Sequence, residues 1–191
     1  MTMFSCEFLD KVGESIARNS CEDIEELIDV LFNVRSHGGR LFIIGSGGGA
    51  GHASHAVCDF RKICNFEAYA PYDNISELTA RINDEGFGTS ILNWLKVSSF
   101  KEKDCIFVFS VGGGTEGVSE NITKALHYAK GMGAKIVGIV GRDGGVTKQL
   151  ADACVLIETE ELVTPITEGL QSVIWHLIVS HPKLQINKTK W

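Results

Sequence analysis

A chain of 191 residues with 44% hydrophobic content is long enough for one domain with a substantial core. Its formal charge of -6 disfavours nucleic acid as a partner, which would select a basic face, and no run of like charges reads as a tail. No signal peptide opens it and no apolar stretch nears the roughly 18 residues that span a bilayer, so the expected setting is soluble, cytoplasmic and away from membranes.

The elements follow in chain order. Phe4, Phe8, Leu9, Val12 and Ile16 recur at helical spacing, and so do Ile24, Leu27, Ile28, Leu31 and Phe32. Ser20 with Asp23 resembles a capping box opening the second helix. His37-Gly38-Gly39 then breaks the pattern. Short apolar runs follow at 41–44, 105–109, 136–140 and 154–157, with a further strand at 67–70. Between and after them, 91–99 and 122–131 read as crossover helices and 164–180 as a long closing helix. Runs that are apolar on both faces suit buried parallel strands with helices on each side. The expected fold is α/β: a three-layer α/β/α sandwich on a five-stranded parallel sheet, in one domain. Residues 1–36 form an N-terminal helical hairpin and 37–191 the core. Spacing does not choose whether the hairpin packs on the chain's own sheet or on a neighbouring subunit. Of the six cysteines, Cys6, Cys21, Cys58, Cys64, Cys105 and Cys154, none shows C-x-x-C spacing. Three sit in apolar patterns as small hydrophobes, and reduced thiols are expected.

Two glycine-rich loops come after strands and before helices: Ser46-Gly47-Gly48-Gly49, and Ser110-Val111-Gly112-Gly113-Gly114-Thr115 with Ser119 beyond. Such loops converge on the ligand crevice of a parallel sheet, and glycine lets backbone amides approach an anion. One loop alone can be a tight turn; two of the same type favour a phosphate grip. Neither continues into Gly-Lys-Ser/Thr or into G-x-G-x-x-G with an acidic partner, which disfavours nucleotides. Gly141-Arg142-Asp143-Gly144-Gly145 reads as a turn. His55 and Asp59 lie four residues apart on one helix face, while Glu168 and His176 share the closing helix. The four suit zinc, either on one ion or on neighbouring sites, because eight residues of helix separate the last two by about 12 Å. His52 lies on a different side of its helix from His55, and His127 and His181 face solvent. Asn83 and Asp84, in a polar turn, can bind sugar hydroxyls or cap the helix after them. Arg61 can pair with phosphate or with a structural partner.

Together these residues resemble the sugar-isomerase (SIS) fold and, within it, the phosphoheptose isomerases, over nearly the whole chain. The likeness is carried by the strand–GSGGG–helix with His55 and Asp59, the NDEGFG turn, SVGGGTEGVS, GRDGG, and the helix with Glu168 and His176. The departures are Ser46 for Asn and Gly49 for Ser in the first loop, Asp59 for Glu, Glu168 for Gln, and the altered second loop. The resemblance implies an aldose–ketose isomerase converting sedoheptulose 7-phosphate to D-glycero-D-manno-heptose 7-phosphate through an enediol. By position, Asp59 and His176 would be catalytic. Ser46, Gly47, Gly48, Asp59, Asn83, Asp84, Ser110, Val111, Gly112, Thr115, Ser119 and Glu168 would contact substrate. His55, Asp59, Glu168 and His176 would hold zinc. A homotetramer with sites between subunits is implied too. The alternative is a non-catalytic phosphosugar-binding or assembly protein of the same fold.

Overall fold

A computed structural model describes residues 3–115 and 117–189, so the second glycine loop is described without Glu116. The alternation of strand and helix appears as expected: β1 (Leu41–Gly45), α3 (Gly48–Lys62), β2 (Ala68–Tyr69), α4 (Ile75–Glu85), a 3-10 turn (Phe87–Thr89), α5 (Ser90–Val97) and β3 (Cys105–Ser110). Then come α6 (Glu120–Gly131), β4 (Lys135–Val140), α7 (Gly145–Leu150), β5 (Ala153–Leu156) and α8 (Val163–Ser180). Two helices, α1 (Phe4–Ala17) and α2 (Cys21–Ser36), precede them, and Ser20 caps α2 by accepting from the Asp23 amide at 3.0 Å. No helix among the described residues is long and apolar enough to cross a membrane.

The five strands form one sheet in the order β2-β1-β3-β4-β5, every neighbouring pair parallel. Alternating side chains feed two separate cores. Leu41, Ile43, Phe107, Phe109, Val137 and Ile139 meet α2, α3 and α8 on one face. Phe42, Ile44, Ile106, Val108 and Ile136 meet α5 and α6 on the other. Coverage of both faces is why the strands read as unbroken apolar runs.

The hairpin question resolves element by element. Helix α2 buries Ile24, Leu27, Ile28, Leu31 and Val34 against the chain's own sheet. Helix α1 packs on α8 and leaves Phe4 and Leu9 exposed. The expected strand at 67–70 is only Ala68–Tyr69, at the sheet edge. Three cysteines behave as expected of packing residues, Cys64, Cys105 and Cys154, whereas Cys6, Cys21 and Cys58 are exposed; burial pushes the Cys64 thiol up to about 12 and Cys154 up to about 11, so neither ionises near neutrality.

The topology locates a crevice. The chain leaves β1 through α3 toward β2 on one side, and leaves β3 through α6 toward β4 on the other. Between adjacent β1 and β3 the connections diverge, and at such a switch point an open parallel sheet receives its ligand. Gly45 and Phe109 pair across it, so the two glycine loops start side by side.

Candidate active site

The first loop is seated hard against the second strand of the crevice. A Cβ built on Gly49 would lie 2.3 Å from the Phe109 carbonyl oxygen, so no side chain fits there and α3 starts directly over the end of β3. Tyr72, unremarked in the sequence, fixes the loop's start. Its hydroxyl accepts from the Gly45 amide at 3.0 Å and donates to the Gly45 carbonyl. The Ser46 hydroxyl is buried without a hydrogen-bond partner among the described residues.

The second loop is held from below by the third. The carbonyls of Val111, Gly113 and Gly114 accept from the amides of Gly141, Thr147 and Val146 at 3.1, 2.8 and 3.0 Å. The Thr147 hydroxyl adds a 2.6 Å bond to the Gly113 carbonyl. GRDGG is therefore more than a turn: it is the cradle of SVGGGT. Gly113, at φ +65°, lies so close to Gly144 that a Cβ would meet its carbonyl oxygen at 1.8 Å. The amides of Gly112, Gly113 and Gly114 find no acceptor among the described residues. A loop with its carbonyls engaged and its N–H groups free is an anion-binding nest.

Roughly two to three turns along from the loop ends, α3 and α8 pack together and bring His55, Asp59 and His176 into one group, their ligating atoms all within 4.8 Å of one another. His55 Nε2 stands 3.7 Å from Asp59 Oδ2. The His55 ring meets the His176 ring nearly edge-on at 5.3 Å and also rests against Trp175, which is fully buried. His176 Nδ1 lies 2.7 Å from the Ser172 carbonyl oxygen. A carbonyl only accepts, so Nδ1 carries the proton and the neutral ring keeps its lone pair on Nε2. Asp59 is buried, and its Oδ2 has no hydrogen-bond partner among the described residues. A bare buried carboxylate oxygen is unfavourable and calls for a cation or a proton.

Glu168 is not in this group. Its carboxylate lies over Gly48, where a Cβ would come within 2.6 Å of both its oxygens. That puts a negative charge at the positive end of α3, one turn or more from the histidines. His52 is drawn toward Glu168 as well, bonding to its backbone, and burial holds the imidazole below its usual range. The sequence placed His52 on a different side of the helix from His55, and its ring indeed lies against Phe109 and outside the His55–Asp59–His176 group.

Asn83 and Asp84 do not form a turn or cap the following helix. They occupy the last turn of α4, exposed, with Asn83 Nδ2 donating to Asp84 Oδ1 at 2.7 Å. The cap in this region is Asn74, which accepts from the Glu77 amide. Arg61 takes the structural option, donating to the Ala68 carbonyl at 3.0 Å beside the Tyr69 ring. Ser110 is buried at the end of β3, whereas Thr115 is exposed and Ser119 is half-buried just before α6.

A model of the SIS domain matches residues 6–141. The chain belongs to the SIS domain family. Among curated relatives, it is 34% identical over 167 residues to the lincomycin biosynthesis protein LmbN of Streptomyces lincolnensis. That match covers 80% of this chain, and the chain spans only 59% of LmbN. A phosphoheptose isomerase of Geotalea daltonii is 29% identical over 173 residues, with 88% of this chain and 86% of that protein covered. The solved phosphoheptose isomerase GmhA of Neisseria gonorrhoeae has the same fold, at a TM-score of 0.79 and 21% identity over 92% of this chain and 94% of that one. This SIS domain thus has a five-stranded parallel sheet with two glycine loops at the switch point.

Proposed function

We propose that this SIS domain is a phosphosugar aldose–ketose isomerase, with sedoheptulose 7-phosphate as the substrate and D-glycero-D-manno-heptose 7-phosphate as the product. The observation that carries it is the juxtaposition of a buried carboxylate, one oxygen of which lacks a hydrogen bond, with an imidazole whose Nε2 lone pair is free, on helices α3 and α8, the first of which starts at the first glycine loop. The amides of the second loop, with Ser110, Thr115 and Ser119 nearby, would anchor the phosphate; Ser46 and the first loop would contact the sugar chain.

Asp59 takes the proton from C1 of the ketose, the carboxyl exchanges it with solvent, and Asp59 then delivers a proton to C2. Between these steps His176 Nε2 moves a proton from the C1 hydroxyl oxygen to the former carbonyl oxygen, and the enediol forms and collapses with protons balanced. Steps of this general acid–base kind contribute roughly 10²- to 10⁴-fold each. The Nδ1–H bond to Ser172 suits His176 to this shuttle between oxygens rather than to carbon protonation.

The same residues fit zinc. Two ligands on a tetrahedral ion at about 2.1 Å stand about 3.4 Å apart, near the His55–Asp59 separation, and two imidazoles with one carboxylate leave a fourth position open. His55, Asp59 and His176 would hold the ion; their lone pairs would then be engaged instead of serving the proton transfers above, and the ion when bound would supply a Lewis acid for the carbonyl oxygen. A homotetramer with sites between subunits and a cytoplasmic setting belong to the same reading.

The test is direct. Purified protein is incubated with sedoheptulose 7-phosphate in deuterated buffer and the sugar protons are followed by NMR. Aldose formation with deuterium entering at C2 is expected, and Asp59→Asn should lower turnover at least about a hundredfold while the thermal transition is kept. Phosphosugar binding with neither conversion nor exchange would instead make the protein a non-catalytic binder. Wild-type turnover in Asp59→Asn would remove Asp59 from the proton transfer.

A further inference from the structure

Thr147 is fully buried in the first turn of α7, outside the His55–Asp59–His176 group, and spends both its donors on a single acceptor. Its amide and its hydroxyl reach the Gly113 carbonyl at 2.8 and 2.6 Å. Its methyl meanwhile fills the space over Gly138 of β4, where a Cβ would come within 2.5 Å of it. The side chain is therefore fixed on both sides.

In a trans planar peptide the N–H of one residue points opposite to the C=O of the residue before it. Holding the Gly113 carbonyl toward α7 thus turns the Gly114 N–H the other way, away from α7. The bonds to the Val111 and Gly114 carbonyls orient the N–H groups of Gly112 and Thr115 in the same manner. The conformation depends on this hold, since Gly113 and Gly114 sit at φ +65° and +86° and glycine has little intrinsic preference for that region.

We infer that Thr147 is a positioning residue for anion recognition: it aims the peptide between Gly113 and Gly114 so that the second loop presents its N–H groups to the phosphate. This rests on the proposed reading of that loop as the phosphate site. Thr147→Val keeps the shape of the side chain but replaces the hydroxyl by a methyl, which cannot approach the Gly113 oxygen as closely and pushes it aside.

The probe is inorganic phosphate, titrated into ¹⁵N-labelled protein while the amides of Gly112 to Thr115 are followed. The wild-type amides are expected to shift on binding. Thr147→Val should weaken phosphate about five- to tenfold, roughly the worth of one hydrogen bond. In turnover it should raise KM by a similar factor with kcat changed less than about twofold, and Thr147→Ser should restore both. If Thr147→Val does not fold, Thr147→Ala carries the same expectation, since it removes the hydroxyl without the displacing methyl. Equal phosphate affinity in the hydroxyl-free variant, with the Gly114 amide still responding, overturns the positioning role and leaves the phosphate site standing. Wild-type amides that ignore phosphate overturn the loop reading and this inference with it.

Discussion

At Asp59 a carboxylate oxygen is buried without a donor, and everything proposed for the site turns on what satisfies it. The pairing with His55 was visible in the sequence because four residues make one helical turn and a bit more, which sets both on one face. The approach of His176 came from the resemblance and not from spacing, because it depends on how α8 crosses α3. Spacing along α8 left one ion or neighbouring sites open for Glu168, and its seat over Gly48 depends on the loop's backbone. The separation has a measurable result. Zinc titrated into metal-stripped protein is expected to bind at about one ion per chain, and His55→Ala should weaken it at least about tenfold. Glu168→Gln should leave the affinity within about twofold of wild type. Calorimetry reads this without turnover, and a Glu168→Gln loss as large as that of His55→Ala would return Glu168 to the ligand set.

Among the elements, three helices end in the same way. After α2, α5 and α6 the chain passes through a left-handed residue, Gly38, Ser99 and Gly133, at φ +66°, +52° and +75°. Each of these residues donates to a carbonyl three positions back, and the next residue donates to one five back, as Phe100 does to Leu95 at 3.2 Å. This is the Schellman arrangement, and two of the three use the residue best suited to it. Serine at position 99 bears a Cβ penalty that glycine lacks. Relief of that strain, less the extra freedom glycine gives the unfolded chain, makes Ser99→Gly stabilising by about 0.5–1 kcal/mol. For a chain of this size that raises Tm by about 1–4 °C, which calorimetry resolves; an unchanged or lower Tm would count against the strain. The glycine stop at 38 was legible as punctuation, whereas Ser99 carries no such signal. Buried strands and α2 were legible from apolar spacing. The helix α4 was not, because it buries no residue and its polar end looked like a turn.

For the molecule as a whole, the glycine loops and a buried ion pair occupy opposite ends of the sheet. Just before β1 and β3 begin, Arg40 grips Asp104, with Nη2 2.7 Å from Oδ2 and Nε 3.2 Å from Oδ1. Asp104 is fully buried and also accepts from the amides of Arg40 and Lys101. Removing one member of such a pair strands the other, so Arg40→Ala should destabilise by about 3 kcal/mol or more in urea denaturation. A loss below about 1 kcal/mol would show that the backbone amides suffice for Asp104. The substrate loops lie at the far ends of the same strands, beyond Gly45 and Ser110. Substitutions that retune the mouth of the crevice leave this clasp untouched, and the clasp in turn sets no condition on which sugar enters. A lineage built on this plan can exchange one phosphorylated substrate for another while its scaffold stays the same.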